Sequence, residues 1–153
     1  MQNKATRALL VGLPIAAFLI MFFINTANYM GVYEDIVQVV LLAIGAILLP
    51  SLLGENSRLP DKWVSVIGVA MCAVSVGLFL LTKPAYTTKQ ASQLLLDSGY
   101  KSITVPAGKH IQSIDDGKTF FVNDGYVYTC TDADGQSETV LFNPQTGSWS
   151  VIE

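Results

Sequence analysis

The chain has 153 residues, of which 51% are hydrophobic and 14% are charged, whereas a soluble globular domain usually carries about 25% charged residues. This shortage of charge argues against an ordinary cytosolic enzyme. The formal net charge of −3 is unevenly distributed, because residues 85–153 hold four lysines against eight acidic residues, a net charge of −4. We therefore expect a transmembrane domain over residues 1–84 and a small extracytoplasmic α+β domain over residues 85–153.

Three runs in the first half of the chain have the length and apolar character of membrane-spanning helices. The predicted helices cover about residues 8–30, 36–53 and 63–82, and none of these runs contains a charged residue. A spanning helix needs roughly 20 mostly apolar residues. The first run is longer than the apolar part of a secretory signal peptide and no A-x-A cleavage site follows it, which favours an uncleaved anchor. The sequence thus predicts an α-helical membrane protein with three transmembrane helices.

Basic residues flank these runs mainly on one side. Lys4 and Arg7 precede the first predicted helix, and Arg58 and Lys62 lie between the second and the third, whereas the loop between the first and the second has no basic residue. Because basic loops tend to stay in the cytoplasm, this pattern places the N-terminus there and residues 85–153 on the other side. We expect a multi-pass protein of the bacterial cytoplasmic (inner) membrane with a periplasmic domain.

Small residues recur four positions apart in the first and third runs, a spacing that lets helix backbones approach closely. These residues either pack within one three-helix bundle, or they contact a second copy of the chain or another membrane protein. No ionisable residue lies in the middle of a run, which argues against transport by the monomer. The candidate helix-packing residues are Gly12, Ala16, Gly68, Cys72, Ala73 and Gly77.

Residues 85–153 begin with a predicted helix, Lys89–Ser98. Thr87 or Thr88 is its N-cap, with a partial capping box, and Gly99 follows its end as the closing glycine. The apolar spacing then changes to period two, which predicts an antiparallel meander of five or six short strands. The predicted strands are 102–105, 110–114, 118–123, 126–131, 138–143 and 148–152, with turns at 116–117, 124–125, 132–136 and 144–147. The core of such a domain is small, so tethering to the membrane or contact with the loop Gly31–Asp35 would help to order it.

Little in the sequence resembles a catalytic or metal site. His110 is the only histidine, which excludes a pair of catalytic histidines and a zinc site with several histidines. Cys130, the only cysteine of the outer domain, is either a buried strand residue or one half of an intermolecular disulfide. The acidic pairs at 115–116 and 132–135 are typical of turns rather than of a catalytic dyad or a calcium loop. We therefore expect no enzymatic activity, no cofactor and, given the negative charge, no nucleic-acid binding by this domain.

Aromatic residues on the predicted strands are the best candidates for a functional surface. Tyr126 and Tyr128 share one face of their strand, and Phe121 points opposite to its neighbour Phe120. This set forms either a core face under the helix or an exposed surface that binds a protein or peptide, because tyrosine and tryptophan dominate binding hot spots. The candidate interaction residues are Phe121, Tyr126, Tyr128 and Trp149.

Two short segments resemble known extracytoplasmic domains. The run LLLDSGYKSITV within Ala91–Val105 is similar to the start of small helix-plus-meander domains, and ETVLFNPQTGSWSVI (Glu138–Ile152) resembles the last hairpin of PepSY-like domains. The layout of three helices and a small acidic outer domain resembles that of inner-membrane superinfection-exclusion proteins encoded by temperate phages. That resemblance implies interference with the DNA entry of a competing phage, and it transfers no site residues.

The leading hypothesis is a non-enzymatic cytoplasmic-membrane protein that acts by protein–protein interaction in superinfection exclusion or immunity. Its partners would be the lipid bilayer and a component of the phage ejection apparatus. The alternative is an accessory subunit of a secretion or envelope-assembly membrane complex, which would bind other subunits of that complex. A homo-oligomer, including a small channel of the holin type, is the third hypothesis.

Overall fold

The computed structural model describes residues 4–34, 61–108 and 110–152 of the chain. Its helices are α1 (Lys4–Tyr29), α2 (Asp61–Thr82) and α3 (Thr88–Asp97), and its strands are β1 (Ser102–Thr104), β2 (Ile111–Ser113), β3 (Asp124–Thr131), β4 (Ser137–Phe142) and β5 (Trp149–Val151). These elements divide into two compact units. The helical unit contains the described residues up to Phe23 together with α2, and the sheet unit contains residues 24–34 and the described residues from Lys83 onward.

The first and third predicted apolar helices form, as α1 and α2. Within the described part of the chain, however, no helix combines the length and the apolar character needed to cross a membrane. The predicted transmembrane domain with three spans is therefore wrong. The predicted multi-pass inner-membrane location with a periplasmic domain rested on those spans and is corrected with them. The second predicted helix, residues 36–53, lies outside the described residues.

Polar and charged residues limit the apolar run of α1. The last turns of α1 belong to the sheet unit, in which Asn25 is buried, and Lys4 and Arg7 lie in the first turns. The uncharged part of α1 outside the sheet unit, residues 8–23, is thus shorter than the roughly 20 residues of a typical span.

Most described apolar side chains of the helical unit are exposed, although Met21 and Phe79 are buried. Exposed apolar surface of this kind is typical of faces that bind other molecules. Among the described residues, no atom lies within 4 Å of a Cβ atom added at Gly12 or Gly77, and the role of the candidate packing residues stays a prediction. Of the other candidates, Ala16 and Ala73 are exposed, Cys72 is half-buried, and Gly68 lies within α2.

The helix α3 begins with a complete capping box rather than the partial one that the sequence predicted. The Thr87 hydroxyl accepts a hydrogen bond from the Gln90 N–H at 3.3 Å, and Gln90 Oε1 accepts one from the Thr87 N–H at 2.9 Å. Ala91 and Leu95, one turn apart, form the fully buried face of the helix. The sequence therefore fixes the start of α3 through local hydrogen bonds and its orientation through burial.

The strands form one antiparallel sheet with the order β1–β3–β4–β5, and β2 also pairs with β3. The long strand β3 is central: Ser102 to Thr104 of β1 pair with its last residues, and Ile111 to Ser113 of β2 pair with its first. Consecutive strands β1 and β2 thus share one edge of β3 instead of pairing with each other, which departs from the predicted meander. The sheet unit is an α+β fold.

The strand β3 runs through Asp124 and Gly125, where the sequence predicted a hairpin turn, and the predicted strand 118–123 does not form. A Cβ atom on Gly125 would lie 2.5 Å from the Phe142 carbonyl oxygen and 2.7 Å from Ile114 Cγ2. The glycine is therefore a site where the backbone of β4 and the segment after β2 approach β3 closely, and not a turn residue.

Residues 31–34 pack within the sheet unit. Val32 and Tyr33 are buried, and Tyr33 forms an antiparallel bridge with Val122. The Asn25 side chain holds this segment, because its Nδ2 donates to the Tyr33 carbonyl oxygen at 3.0 Å and its Oδ1 accepts from the Tyr33 N–H at 3.3 Å. From the sequence we expected either tethering to the membrane or contact with the loop Gly31–Asp35 to help order the small domain; the structure shows contact with residues 31–34 of this loop.

Candidate functional site

The strand β5 forms an open edge of the sheet, since it pairs with β4 alone among the described strands. Ser150 lies opposite Leu141, and the flanking bonds run from Asn143 N–H to the Ser148 carbonyl and from Ile152 N–H to the Thr139 carbonyl, both at 2.8 Å. Hydrogen-bonded and non-hydrogen-bonded pairs alternate along an antiparallel ladder. Ser150 and Leu141 are therefore a bonded pair. The backbone N–H and C=O groups of Trp149 and Val151 point away from β4.

The side chains of β5 are also exposed. Trp149 is 41% exposed and Val151 is 53% exposed, and alternation along the strand puts both on one face with Ser150 on the other. The Trp149 ring stacks on Phe142 at a centroid distance of 6.5 Å, and Phe142 stacks on Tyr126 at 6.2 Å. Trp149 is thus the exposed outer end of an aromatic row whose inner members are buried.

A cavity of about 280 Å³ lies on the Ser150 side of this hairpin. Its lining residues are Ile114, Asp115, Asp116, Leu141, Asn143, Ser148, Trp149 and Ser150. Ile114 is buried and Leu141 is half-buried, whereas both aspartates are exposed. No hydrogen bond or ion pair of either carboxylate occurs within the part of the chain that the structure describes. The cavity therefore combines apolar surface with two exposed acidic residues.

The hairpin of β4 and β5 is anchored on both sides. Asn143 Nδ2 donates to the Asp116 carbonyl oxygen at 2.7 Å, which connects the hairpin to the turn that carries both aspartates. On the other side, the Tyr86 N–H donates to the Pro144 carbonyl at 3.0 Å, and a Cβ atom on Gly147 would lie 2.9 Å from the Tyr86 ring. These contacts hold the open edge and the acidic turn in a fixed relation, as a binding site requires.

Two of the four candidate interaction residues belong to the core. Tyr126 and Tyr128 are buried, and their hydroxyls donate to the carbonyl oxygens of Tyr86 and Thr88 at 2.8 and 3.0 Å. Burial raises the pKa of both phenols, that of Tyr128 to about 12, against a lowering by a Ser92 hydrogen bond. These tyrosines therefore stabilise the packing of the sheet against α3 and its linker rather than contact a partner.

The other two candidates reach the surface at different places. Phe121 is half-buried and stacks on the Tyr33 ring at a centroid distance of 5.7 Å, next to Phe120, which is 69% exposed. Trp149 lines the cavity at the open edge. Of the four residues that the sequence selected, Trp149 alone is part of the site that combines a strand edge with a cavity.

The remaining polar candidates have ordinary structural environments. His110 is exposed, and its carbonyl oxygen accepts from the Val127 N–H at 3.0 Å. Cys130 is fully buried, and burial, with a smaller contribution from Glu138, raises the pKa of its thiol to about 11. The Asp132 carboxylate accepts from the N–H groups of Asp134 and Gln136 at 2.9 and 2.8 Å, as a turn residue does. The described residues contain no group of three or more His, Cys, Asp or Glu placed to hold a metal ion.

Sequence reasoning placed Asp115 and Asp116 in a turn but missed their part in the site, and it did not select Ser148 or Ser150. The last strand of an antiparallel sheet commonly lies at an edge, so the position of β5 in the sequence could have indicated an open edge.

No protein-family model, curated protein or solved structure matches this chain. The resemblances to superinfection-exclusion proteins and to PepSY-like domains therefore stay predictions.

Proposed function

We propose that the sheet unit is a binding domain, and that an extended segment of another protein adds to the sheet as a further strand along β5. The observation that carries this proposal is the open edge itself, where the backbone groups of Trp149 and Val151 point away from β4. In strand addition, main-chain hydrogen bonds supply affinity and the alternating side chains supply specificity. The proposed activity is binding and not catalysis.

The residues of β5 favour this use of the edge. Natural edge strands are protected by shortness, charged side chains, proline or a bulge. The strand Trp149-Ser150-Val151 is short, with three residues, but has neither a charge nor a proline. A fixed aromatic side chain at the edge is typical of binding hot spots. An edge of this kind can pair with a strand of another protein through its free backbone groups.

Protein binding is the part that the earlier hypotheses share. Superinfection exclusion, immunity and a role as an accessory subunit in a secretion or envelope-assembly complex all relied on the three-span layout, which the structure does not support. The described residues add no support to those specific roles, which stay predictions. The proposal keeps the protein partner and locates its contact at β5.

A proline scan of the edge tests the proposal. Random peptides displayed on phage are selected against the full chain, and the enriched peptides are then titrated against two variants. Val151→Pro removes an N–H that points away from β4, so it disables strand addition while sparing the β4–β5 bonds. Val151→Thr keeps that N–H and is the matched control. Enriched peptides should bind Val151→Thr like the wild type and Val151→Pro about tenfold more weakly.

Three outcomes contradict the proposal. No peptide is enriched, the enriched peptides bind Val151→Pro as tightly as the wild type, or the chain forms a dimer of its own that Val151→Pro dissociates. The last result would assign the edge to a second copy instead of a partner. Thermal unfolding of each variant in a Trp63→Phe background, followed by the fluorescence of Trp149, shows beforehand that both fold.

A further inference from the structure

The two faces of β5 carry different side chains, and the side chains of an added strand would lie on both faces. On one face lie the exposed side chains of Trp149 and Val151; on the other, Ser150 borders the cavity. Because side chains alternate along a strand, a segment paired with β5 places two residues beside Trp149 and Val151. The residue between those two lies on the cavity side. The first two positions favour apolar side chains, which would cover the exposed tryptophan and valine.

The cavity side has the chemistry of a site for a basic side chain. Two exposed aspartates, Asp115 and Asp116, line it together with Ser148 and Ser150 of the strand side. Ile114 and Leu141 supply apolar surface within it. A lysine has an aliphatic stem that packs on apolar surface and a charged head that needs acceptors. Neighbouring strands lie about 4.8 Å apart, so the four-carbon stem of a lysine placed opposite Ser150 extends across β5 toward the cavity.

The charge of the sheet unit agrees with a basic partner. Residues 83–153 contain five lysines and eight acidic residues, so the unit attracts cations and repels a second copy of itself. Like charges facing each other across an interface are unfavourable, and pairing of two β5 edges would bring two acidic cavities together.

Building on the proposed function, we infer that the bound segment has an apolar–basic–apolar pattern, with its Lys or Arg side chain in the cavity beside Asp115 and Asp116. The apolar residues of the segment lie against Trp149 and Val151. The carboxylates act through charge and hydrogen bonding on the basic side chain, which sets specificity. The N–H and C=O groups of β5 supply the sequence-independent part of the affinity.

Three synthetic peptides test the inference. The acetylated and amidated peptide Thr-Thr-Val-Lys-Val-Thr-Thr is compared with peptides that have Gln or Glu in place of Lys. Binding to the full chain is measured by calorimetry. Because exposed charge pairs contribute modestly, the Lys peptide should bind roughly threefold to twentyfold more tightly than the Gln peptide, and the Glu peptide should bind worst. The preference should shrink as sodium chloride is raised.

Two double variants test whether the preference for the Lys peptide depends on the aspartates of the cavity. Asp115→Asn with Asp116→Asn should bind the Lys and Gln peptides equally. Asp97→Asn with Asp134→Asn makes the same change in net charge at exposed positions outside the cavity lining, and it should retain the preference. This control separates the cavity carboxylates from the general charge of the unit.

The failure of the inference and that of the proposed function look different. If the three peptides bind equally, or both double variants behave alike, the cavity does not select a basic side chain and the inference is overturned. Strand addition at β5 still stands in that case when Val151→Pro weakens all three. If binding of every peptide is unaffected by Val151→Pro, or none binds and the library yields no ligand, both proposals fail.

Discussion

Replacing Asn25 with alanine should destabilise the sheet unit although Asn25 lies near the end of the long helix α1. The Asn25 side chain is buried and bonds both backbone groups of Tyr33, at 3.0 Å to the carbonyl oxygen and 3.3 Å from the N–H. Tyr33 in turn bridges to Val122 and stacks on Phe121. Alanine at this position therefore removes one of the links that hold residues 31–34 on the sheet; the Glu34 N–H still donates to the Phe121 carbonyl oxygen at 2.6 Å.

The size of the effect follows from these two hydrogen bonds. Loss of a partner by a buried backbone group costs about 1–3 kcal/mol, and two groups are affected. Alanine is a better helix former than asparagine by about 0.5 kcal/mol, which offsets a small part of the loss. The net expectation is a decrease of about 2–5 kcal/mol in the free energy of unfolding. For a domain of this size, that lowers the melting temperature by at least about 8 °C.

Trp149 fluorescence in a Trp63→Phe background follows the unfolding of the sheet unit alone, because Trp63 and Trp149 are the chain's two tryptophans. Asn28→Ala is the matched control: it makes the same substitution in the same helix, at an exposed position. That control should change the free energy of unfolding by less than about 0.5 kcal/mol. Equal melting temperatures for the two variants would refute the account of residues 24–34 as part of the sheet unit.

Two further substitutions probe the sheet. Gly125→Ala should lower the free energy of unfolding by about 1–3 kcal/mol, because its Cβ would lie 2.5 Å from the Phe142 carbonyl oxygen. Urea denaturation measures this change. The control is Gly12→Ala, whose Cβ meets no described atom within 4 Å, and it should leave the free energy of unfolding unchanged. Burial raises the pKa of the Cys130 thiol from 9.0 to about 11, so the folded chain keeps a proton that the unfolded chain releases, and stability should fall as pH rises from about 9 to about 11. Cys130→Ala should flatten that decline in urea midpoints measured across this range, and an unchanged slope would contradict the assignment.

Local signals in the sequence were sufficient for several elements of the sheet unit. Thr87, the N-cap of α3, is one of the two N-cap residues that the sequence predicted, although its complete capping box with Gln90 was predicted only in part. The glycines at 135 and 147 lie in turns with positive φ, as their sequence contexts predicted. The alternation of Tyr126 and Tyr128 correctly placed both on one face of a strand. Each of these features depends on neighbours a few residues apart, which is why the sequence alone predicts it.

Features that depend on distant residues were not predictable in the same way. Asp124-Gly125 has strong local turn propensity, yet the close approach of the Phe142 carbonyl keeps it extended within β3. Alternation shows that Tyr126 and Tyr128 share a face but does not show which face α3 covers. The apolar runs identified α1 and α2 as helices, whereas the assignment of the last turns of α1 to the sheet unit requires knowledge of the partner surface.

Amide hydrogen exchange along β5, measured by NMR in the free protein and in the presence of the Thr-Thr-Val-Lys-Val-Thr-Thr peptide, tests the proposed function most directly. In the free protein, the amides of Trp149 and Val151 should exchange fast, while the amide of Ser150, which faces β4, is protected. Addition of the peptide should slow the exchange of Trp149 and Val151 and leave Ser150 unchanged. Equal protection of all three amides in the free protein, or binding of the peptide without protection of Trp149 and Val151, would contradict strand addition at this edge.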